Sequence, residues 1–447
     1  MKHIKLAEAL DAVDGRYIAE AAKQKKKRKK LWFGAVAAVL VAVILWWSVG
    51  NPVVTAKAVS LADYSGNKRQ DWQTINGYRE QLSPFFSSAT SQVLSGSGGE
   101  NVAFSPLNLY FALAVTAELS GGNPQILQLL NADGVDSLRS QSFCLWNATY
   151  RDQNNQCLLA NSLWLDKDLS YNQDTMDILA DRYYTSVYQG DFGTNRTNRD
   201  IANWLGGQTG GILKDATDRI SLDPDTVFAL YATIYYQAKW SSEFKNSQNT
   251  EGTFYGAQGD VTCTFMNKNR MTGNYMWGES FGAVTISLKD GSRMWLILPD
   301  EDKTVDQVLA SDDLWFTMFG GQIEEDLENS KYMFINLSVP KFDIQSGGDL
   351  KADLRALGVT EVFDRDTADF TAIYDDGGDV WLTAVNQATR VAIDEKGVTA
   401  ASYIEIPGAG AAAPPEEVID FVLDRPFIFL VTNMNDLPLF AGVVNEP

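Results

Sequence analysis

Two dense apolar runs, Val391-Ala392-Ile393 and Pro426-Phe427-Ile428-Phe429-Leu430-Val431, read as buried strands. About 25 residues between them carry no clear element of their own, which is unusual inside a compact domain unless the connection is functional or disordered. The apolar flanks argue against disorder. The connection opens with Glu395-Lys396-Gly397-Val398-Thr399-Ala400-Ala401, runs through an Ala- and Gly-rich segment to Ala413, and meets Pro414-Pro415-Glu416-Glu417-Val418. It has a period of two. Val398, Ala400, Ser402, Ile404 and Ile406 fall on one side of an extended chain, and Thr399, Ala401, Tyr403 and Glu405 on the other. Two readings fit: a plain surface loop, or a segment able to become a sheet strand with its first set turned to a core.

Helical patterns occupy Tyr78–Leu94 and Leu107–Leu119, split by the loop Ser95-Gly96-Ser97-Gly98-Gly99. Strand-like runs fill 226–236, 285–298 and 333–344. Helices come early and strands late, so the predicted class is α+β and not an alternating parallel sheet. The 447 residues, 45% of them hydrophobic, are enough for one large core or two ordinary ones.

The net charge is −20, which opposes binding to nucleic acid, and it is unevenly spread. Residues 1–50 carry ten Lys and Arg against four acids, or +6, which leaves −26 for the rest. Residues 1–30 read either as an amphipathic, basic cytoplasmic tail or as a solvated charged one. Leu31 to Val49 is uncharged over 19 residues, with Trp32 and Trp46-Trp47 at its ends and seven cations from Lys23 to Lys30 before it. These features favour a transmembrane signal anchor over a cleaved signal peptide with Ala56-Lys57-Ala58 as its site. The expected product is a single-pass cell-membrane protein with its N-terminus cytoplasmic, a linker over 50–77, and an extracellular domain over 78–447.

Several chemistries are excluded or unsupported. The single histidine is His3, so no Ser-His-Asp or Cys-His arrangement can be built in the main domain, and histidine metal sites are absent from it. Cys144, Cys157 and Cys263 form no CxxC pair and permit at most one disulfide, Cys144–Cys157. Three buried thiols acting as small hydrophobes fit as well. Gly206-Gly207-Gln208-Thr209-Gly210-Gly211 lacks the Lys-Ser/Thr of a phosphate loop. Carboxylate pairs such as Asp223/Asp225 and Asp375/Asp376 are frequent in so acidic a chain, and nothing singles one out. No cofactor is expected, and the chain is not read as an enzyme.

Glu395 to Ala401 resembles the hinge of the serpins, and Asp424-Arg425-Pro426-Phe427-Ile428-Phe429 resembles the strand after their reactive loop. Other serpin-like segments follow in family order: Asn101 to Asn108 (NVAFSPLN), Ala160 to Trp164 (ANSLW), Ile201 to Trp204 with Thr209 to Ile212, and Ile234 to Trp240 (IYYQAKW). Pro340-Lys341-Phe342, Leu357-Gly358-Val359 through Phe370, and Phe440 to Asn445 complete a set that spans about 370 residues.

The resemblance implies a large mixed sheet A, smaller sheets B and C with helices packed on them, and an exposed reactive-centre loop. It also implies a function: inhibition of a serine protease, or a cysteine protease, that cuts the loop and is held as an acyl-enzyme while the freed loop inserts as a sheet strand. Counting sixteen positions from Glu395 places the cut at Ala411–Ala412, which suits an elastase-like protease partner with small-residue specificity. Glu395, Gly397, Val398, Thr399, Ala400 and Ala401 form the hinge. Ser105, Asn108, Trp240 and Gln387 form the shutter and breach that control opening of the sheet, and the chain is expected to act as a monomer. Some departures stand out. Gln387 and Ala232 take positions where the family often has His and Asn, Tyr403 replaces a small residue but turns to solvent after insertion, and Pro407 would interrupt an inserted strand. The alternative is a non-inhibitory serpin-fold substrate or binding module displayed at the cell surface.

Overall fold

The computed structural model describes residues 54–65, 68–152, 156–209, 222, 226–319, 328–374, 380–398 and 415–447. Helix α1 (Trp72–Leu94) starts on Asp71, whose carboxylate accepts the Thr74 N–H. Helix α2 (Pro106–Leu119) is capped by Ser105 and has Pro106 in its first turn, a position where the missing N–H costs nothing. All of α2 except Ala112 is buried. A helix that is apolar all round belongs in the middle of a domain, and α2 lies under one of the two large sheets. Helices α3 (Val135–Thr149) and α4 (Asn195–Gln208) flank it, the latter capped by Thr194.

That sheet has eight strands. Along it run β1 (Lys57–Ser60), β2 (Gln156–Asp166), β3 (Thr185–Gly190), β4 (Phe228–Lys239), β5 (Phe342–Asp349), β6 (Asn386–Ile393) and β7 (Gly397–Val398). Their order is β1-β3-β2-β4-β7-β6-β5, with the short strand 151–152 paired to β2. Only β2 and β3 pair in parallel; the other ladders are antiparallel. Strand β4 shows how its sequence sorts onto the two faces. Phe228, Tyr236 and Ala238 join the main core, with Leu230 and Ile234 packed against it. Ala229 and Tyr231 turn to the opposite face, against a smaller cluster of Ala160, Trp164, Phe192, Ile201, Trp204 and Leu205 centred on α4.

The second sheet has nine strands and includes β8 (Val418–Val422), which pairs in parallel with 330–340 at its edge. The two smaller sheets expected from sequence run together here, because the 19-residue strand Gly259–Trp277 pairs with 250–256, 281–287 and 330–340. The α+β architecture stands as expected.

Two expectations need correction. The anticipated single-pass membrane topology is overturned: no helix among the described residues is long and apolar enough to cross a membrane. The longest, α1, carries Arg79, Glu80 and a run of Gln and Ser, and spends its apolar side on the domain core. The stretch 31–49 lies outside the described residues. Next, part of the predicted linker is structured, because Lys57–Ser60 forms edge strand β1 and the first helix begins at Trp72. The cysteines follow the free-thiol reading and not the disulfide: Cys144 and Cys157 are buried and Cys263 is half-buried. Burial pushes the Cys144 thiol up to about 11 and raises Cys157 further, as for thiols used as small apolar groups.

Candidate functional site

Strands β4 and β6 run parallel to each other, and the ladder between them is completed only through the two residues of β7. Val398 pairs with Ala238 on one side and Ile393 on the other, and Gly397 pairs with Lys239. Below that point the strands part around a cavity of about 770 Å³. Its walls are 226–232 of the β4 region and 380–387 leading into β6, and its floor is the α2 face of Asn108, Leu109, Ala112, Leu113 and Thr116. Backbone groups lining such an opening can pair with water, but gain more from a strand laid between them.

The top of the opening is built by the chain that leaves β6. Asp394 accepts the N–H groups of Lys396 (2.8 Å) and Gly397 (3.1 Å) on one carboxylate oxygen, which closes a tight turn and sends the chain back as β7. Trp240, wholly buried, holds this turn from below. Its indole N–H donates to the Asp394 carbonyl at 2.8 Å and its backbone N–H to the Lys396 carbonyl at 3.0 Å. Phe244 packs edge-on against Trp240 and donates its N–H to the Glu395 carbonyl. The Glu395 carboxylate meets Lys341 Nζ at 2.5 Å and Asn249 Nδ2 at 2.6 Å. Burial acts to raise its pKa, but the Lys341 ammonium and the Asn249 amide outweigh that and hold the carboxyl below the usual range.

Lower down, α2 reaches both walls with its first turn. The Ser105 backbone N–H donates to Gln387 Oε1 at 2.8 Å, and Gln387 Nε2 returns a bond to the Ser105 carbonyl at 3.1 Å. Ser105 Oγ donates to the Leu439 carbonyl at 2.6 Å. Asn108 Nδ2 donates to the Ala232 carbonyl on β4 at 3.0 Å. Asn108 thus grips one wall of the opening and Ser105 the other. Gln387 and Ala232, which depart from the family's frequent residues, still take part: the first by its side-chain amide, the second by its backbone carbonyl.

The structure therefore brings Ser105, Asn108 and Gln387 together at mid-sheet, and Trp240, Glu395, Gly397 and Val398 at its top. Thr399, Ala400, Ala401, Ala411 and Ala412 lie outside the described residues. Lys341, Asn249 and Asp394 belong to the site although sequence reading did not single them out. Lys341 had a signal in its Pro-Lys-Phe motif; Asn249 had none, since its role comes from a loop 146 residues away from Glu395. Among the described residues no group of three or more His, Cys, Asp or Glu could hold a metal ion.

Gly397 is a sharp test of how tight the top of the opening is. A Cβ added there would lie 2.2 Å from the Ala238 carbonyl oxygen and 2.7 Å from Lys239 Cα, both backbone atoms with no freedom to yield. Gly397→Val is expected to expel β7 from the sheet and lower the thermal unfolding midpoint of the intact chain by several degrees. Calorimetry checks this, and an unchanged midpoint would contradict the contact.

A serpin (serine protease inhibitor) family profile matches residues 82–447. Serpin-ZX of Arabidopsis thaliana is 26% identical over 371 residues, 78% of this chain and 93% of the relative. Human antithrombin-III is 26% identical over 372 residues, 79% of this chain and 78% of the relative. Among solved structures, the thermophilic serpin tengpin in its native state superposes with a TM-score of 0.71 at 25% identity, covering 88% of this chain and all of that one. Human thyroxine-binding globulin in complex with thyroxine matches in fold, with a TM-score of 0.71 at 19% identity over 84% of this chain and 99% of that one. With an opened sheet, a two-residue strand seated at its top and this match across more than four-fifths of its length, the chain belongs to the serpin family.

Proposed function

We propose that this serpin inhibits an elastase-like serine protease by suicide cleavage of its reactive loop at Ala411–Ala412, followed by insertion of the loop between β4 and β6. Membership of a family of serine protease inhibitors supports protease inhibition in general. The observation that carries the finer reading is the two-residue β7 above an unfilled gap.

Continuing the β7 register downward sets Ala400 beside Tyr236 and Val391, and Ile404 beside Ala232 and Gln387. Val398 is buried in the main core. A strand alternates its side chains, so Ala400, Ser402, Ile404 and Ile406 would follow it onto that face. Insertion would add about ten backbone hydrogen bonds at about 1 kcal/mol net each. The intact chain, tethered at both ends of the loop, cannot reach that state readily and is held by a kinetic barrier. Strand addition and order–disorder switching of this kind are established modes of serpin action.

The small residues from Gly408 to Ala413 suit a protease with a shallow specificity pocket, and a trypsin-like enzyme finds no Arg or Lys between Gly397 and Arg425. A second reading, a serpin fold that is cut without trapping, is favoured by Pro407, which removes one ladder bond from the segment that would insert. Incubation with pancreatic elastase followed by a denaturing gel tests both. A detergent-resistant complex of about the summed masses is the expected result. Clean cleavage with no complex would establish the second reading in its place.

A further inference from the structure

We infer that Thr55 and Asp200 are positioning residues for loop insertion, acting through helix α4, an inference that rests on the inhibitor reading above. Residues 54–65 precede the family-matched region, yet they are bound to the domain along their length. Strand β1 pairs antiparallel with β3, matching Lys57 with Gln189 and Ala58 with Tyr188. At one end Thr55 donates its backbone N–H to Asp200 Oδ1 at 3.0 Å and its hydroxyl to Oδ2 at 2.8 Å. Arg196, one turn earlier on α4, donates to the Thr55 hydroxyl at 3.1 Å and to its carbonyl at 3.4 Å. At the other end the Tyr64 ring stacks with Trp146, Tyr150 and Tyr184, and its hydroxyl donates to the Tyr184 carbonyl at 3.1 Å. The segment is a strap pinned at both ends, and one pin is set in α4.

Asp200 is only 3% exposed. A buried carboxylate needs donors, and Thr55 supplies one to each of its oxygens. Val54 and Ala56 also pack against the small apolar cluster that seats α4 on the sheet. Helix α4 in turn covers Ala229 and Tyr231 of β4, on the front of the wall beside the gap. In the β7 register Glu405 falls beside Tyr231, so a strand that inserts this far has to pass beneath α4. The helix must lift away and settle again. Contacts broken only during passage raise the barrier without changing the balance between the open and inserted forms. The strap therefore sets how fast the loop goes in. After cleavage that rate competes with hydrolysis of the acyl-enzyme; before cleavage it governs how long the inhibitor survives uninserted.

The test uses the full chain, with a fluorophore on the loop to follow insertion after pancreatic elastase is added. Thr55→Val is expected to speed insertion about tenfold, the effect of losing one charge-assisted hydrogen bond, and Asp200→Ala, which removes both, by at least as much. They should shorten the half-life of the inhibitory form at elevated temperature by a similar factor. Thr55→Ser, which keeps the hydroxyl, should behave as wild type. A purely structural strap would lower the unfolding midpoints of intact and cleaved chains alike. Insertion rate and half-life would then stay within about twofold of wild type, and that result overturns the inference. If Asp200→Ala fails to fold, Thr55→Val decides alone, since it removes the hydroxyl bonds and leaves the Thr55 backbone N–H on Asp200. A wild type that neither traps elastase nor inserts its cut loop defeats the inhibitor reading itself, and the strap with it.

Discussion

Cleavage between Ala411 and Ala412 is expected to raise the thermal unfolding midpoint of the chain by about 10 °C or more. The gross gain on insertion is about 10 kcal/mol from backbone hydrogen bonds, with about 1.5–3 kcal/mol for each of Ile404 and Ile406 as it leaves water for the core face. Ordering the freed loop takes back a large part of this. Unfolding entropy of about 2 cal/mol/K per residue gives a domain of this length roughly 0.8 kcal/mol/K, so a surplus of about 8 kcal/mol moves the midpoint by about 10 °C. The gap, the α2 floor and the unpaired edges of β4 and β6 leave room for the strand on which this increase depends. Calorimetry on intact and elastase-nicked chain decides it. A midpoint that is unchanged or lower after cleavage would mean that the severed segment stays outside the sheet.

Ala400→Arg is expected to turn the protein from trap into substrate. Were the β7 register continued by insertion, position 400 would come between Tyr236, which is 4% exposed and donates its hydroxyl to Asp290, and Val391, which is 1% exposed. An arginine brought there must fit its long side chain between Tyr236 and Val391, and the carboxylate beside Tyr236, Asp290, already accepts the Tyr236 hydroxyl. Burying the bulk and charge of the guanidinium costs several kcal/mol, and about 4 kcal/mol on the insertion barrier slows that step by roughly a thousandfold. The acyl-enzyme then hydrolyses before the loop is seated. The gel assay should show cut chain and free protease, with complex reduced to under about a tenth of the wild-type amount. Trapping that survives Ala400→Arg would refute the assignment of the hinge.

The same positions show how far sequence pattern reaches. The alternation of Val398, Ala400, Ser402, Ile404 and Ile406 is readable because a strand with one buried face must carry an apolar residue at every second place. Val398, the one member of that set among the described residues, is indeed in the core. Helix α2 was legible from its continuous apolar run and the Ser-Pro start, which are local properties. Gln387 and Ala232 could be named as departures, but their bonds to Ser105 and Asn108 could not. Each joins residues more than 120 positions apart, and a backbone carbonyl such as that of Ala232 leaves no mark in the sequence. The reading of 50–77 as a tether failed for a related reason. Strand β1 is a four-residue edge strand whose partners, Val187 to Gln189, are distant, and polar composition alone cannot distinguish a short edge strand from a linker.

By itself the sequence determined the α+β class, the buried strands on either side of the long connection, the period of the hinge and the lack of a histidine in the main domain with which to build a catalytic triad. All of these follow from residue type and spacing along the chain. Only the tertiary structure decided that β4 and β6 stand apart above α2, that β7 enters for just two residues, and that residues 54–65 hold α4 in place. An opening between two strands is a property of backbone pairing between segments some 150 residues apart, and apolar periodicity is the same whether a neighbouring strand is present or missing.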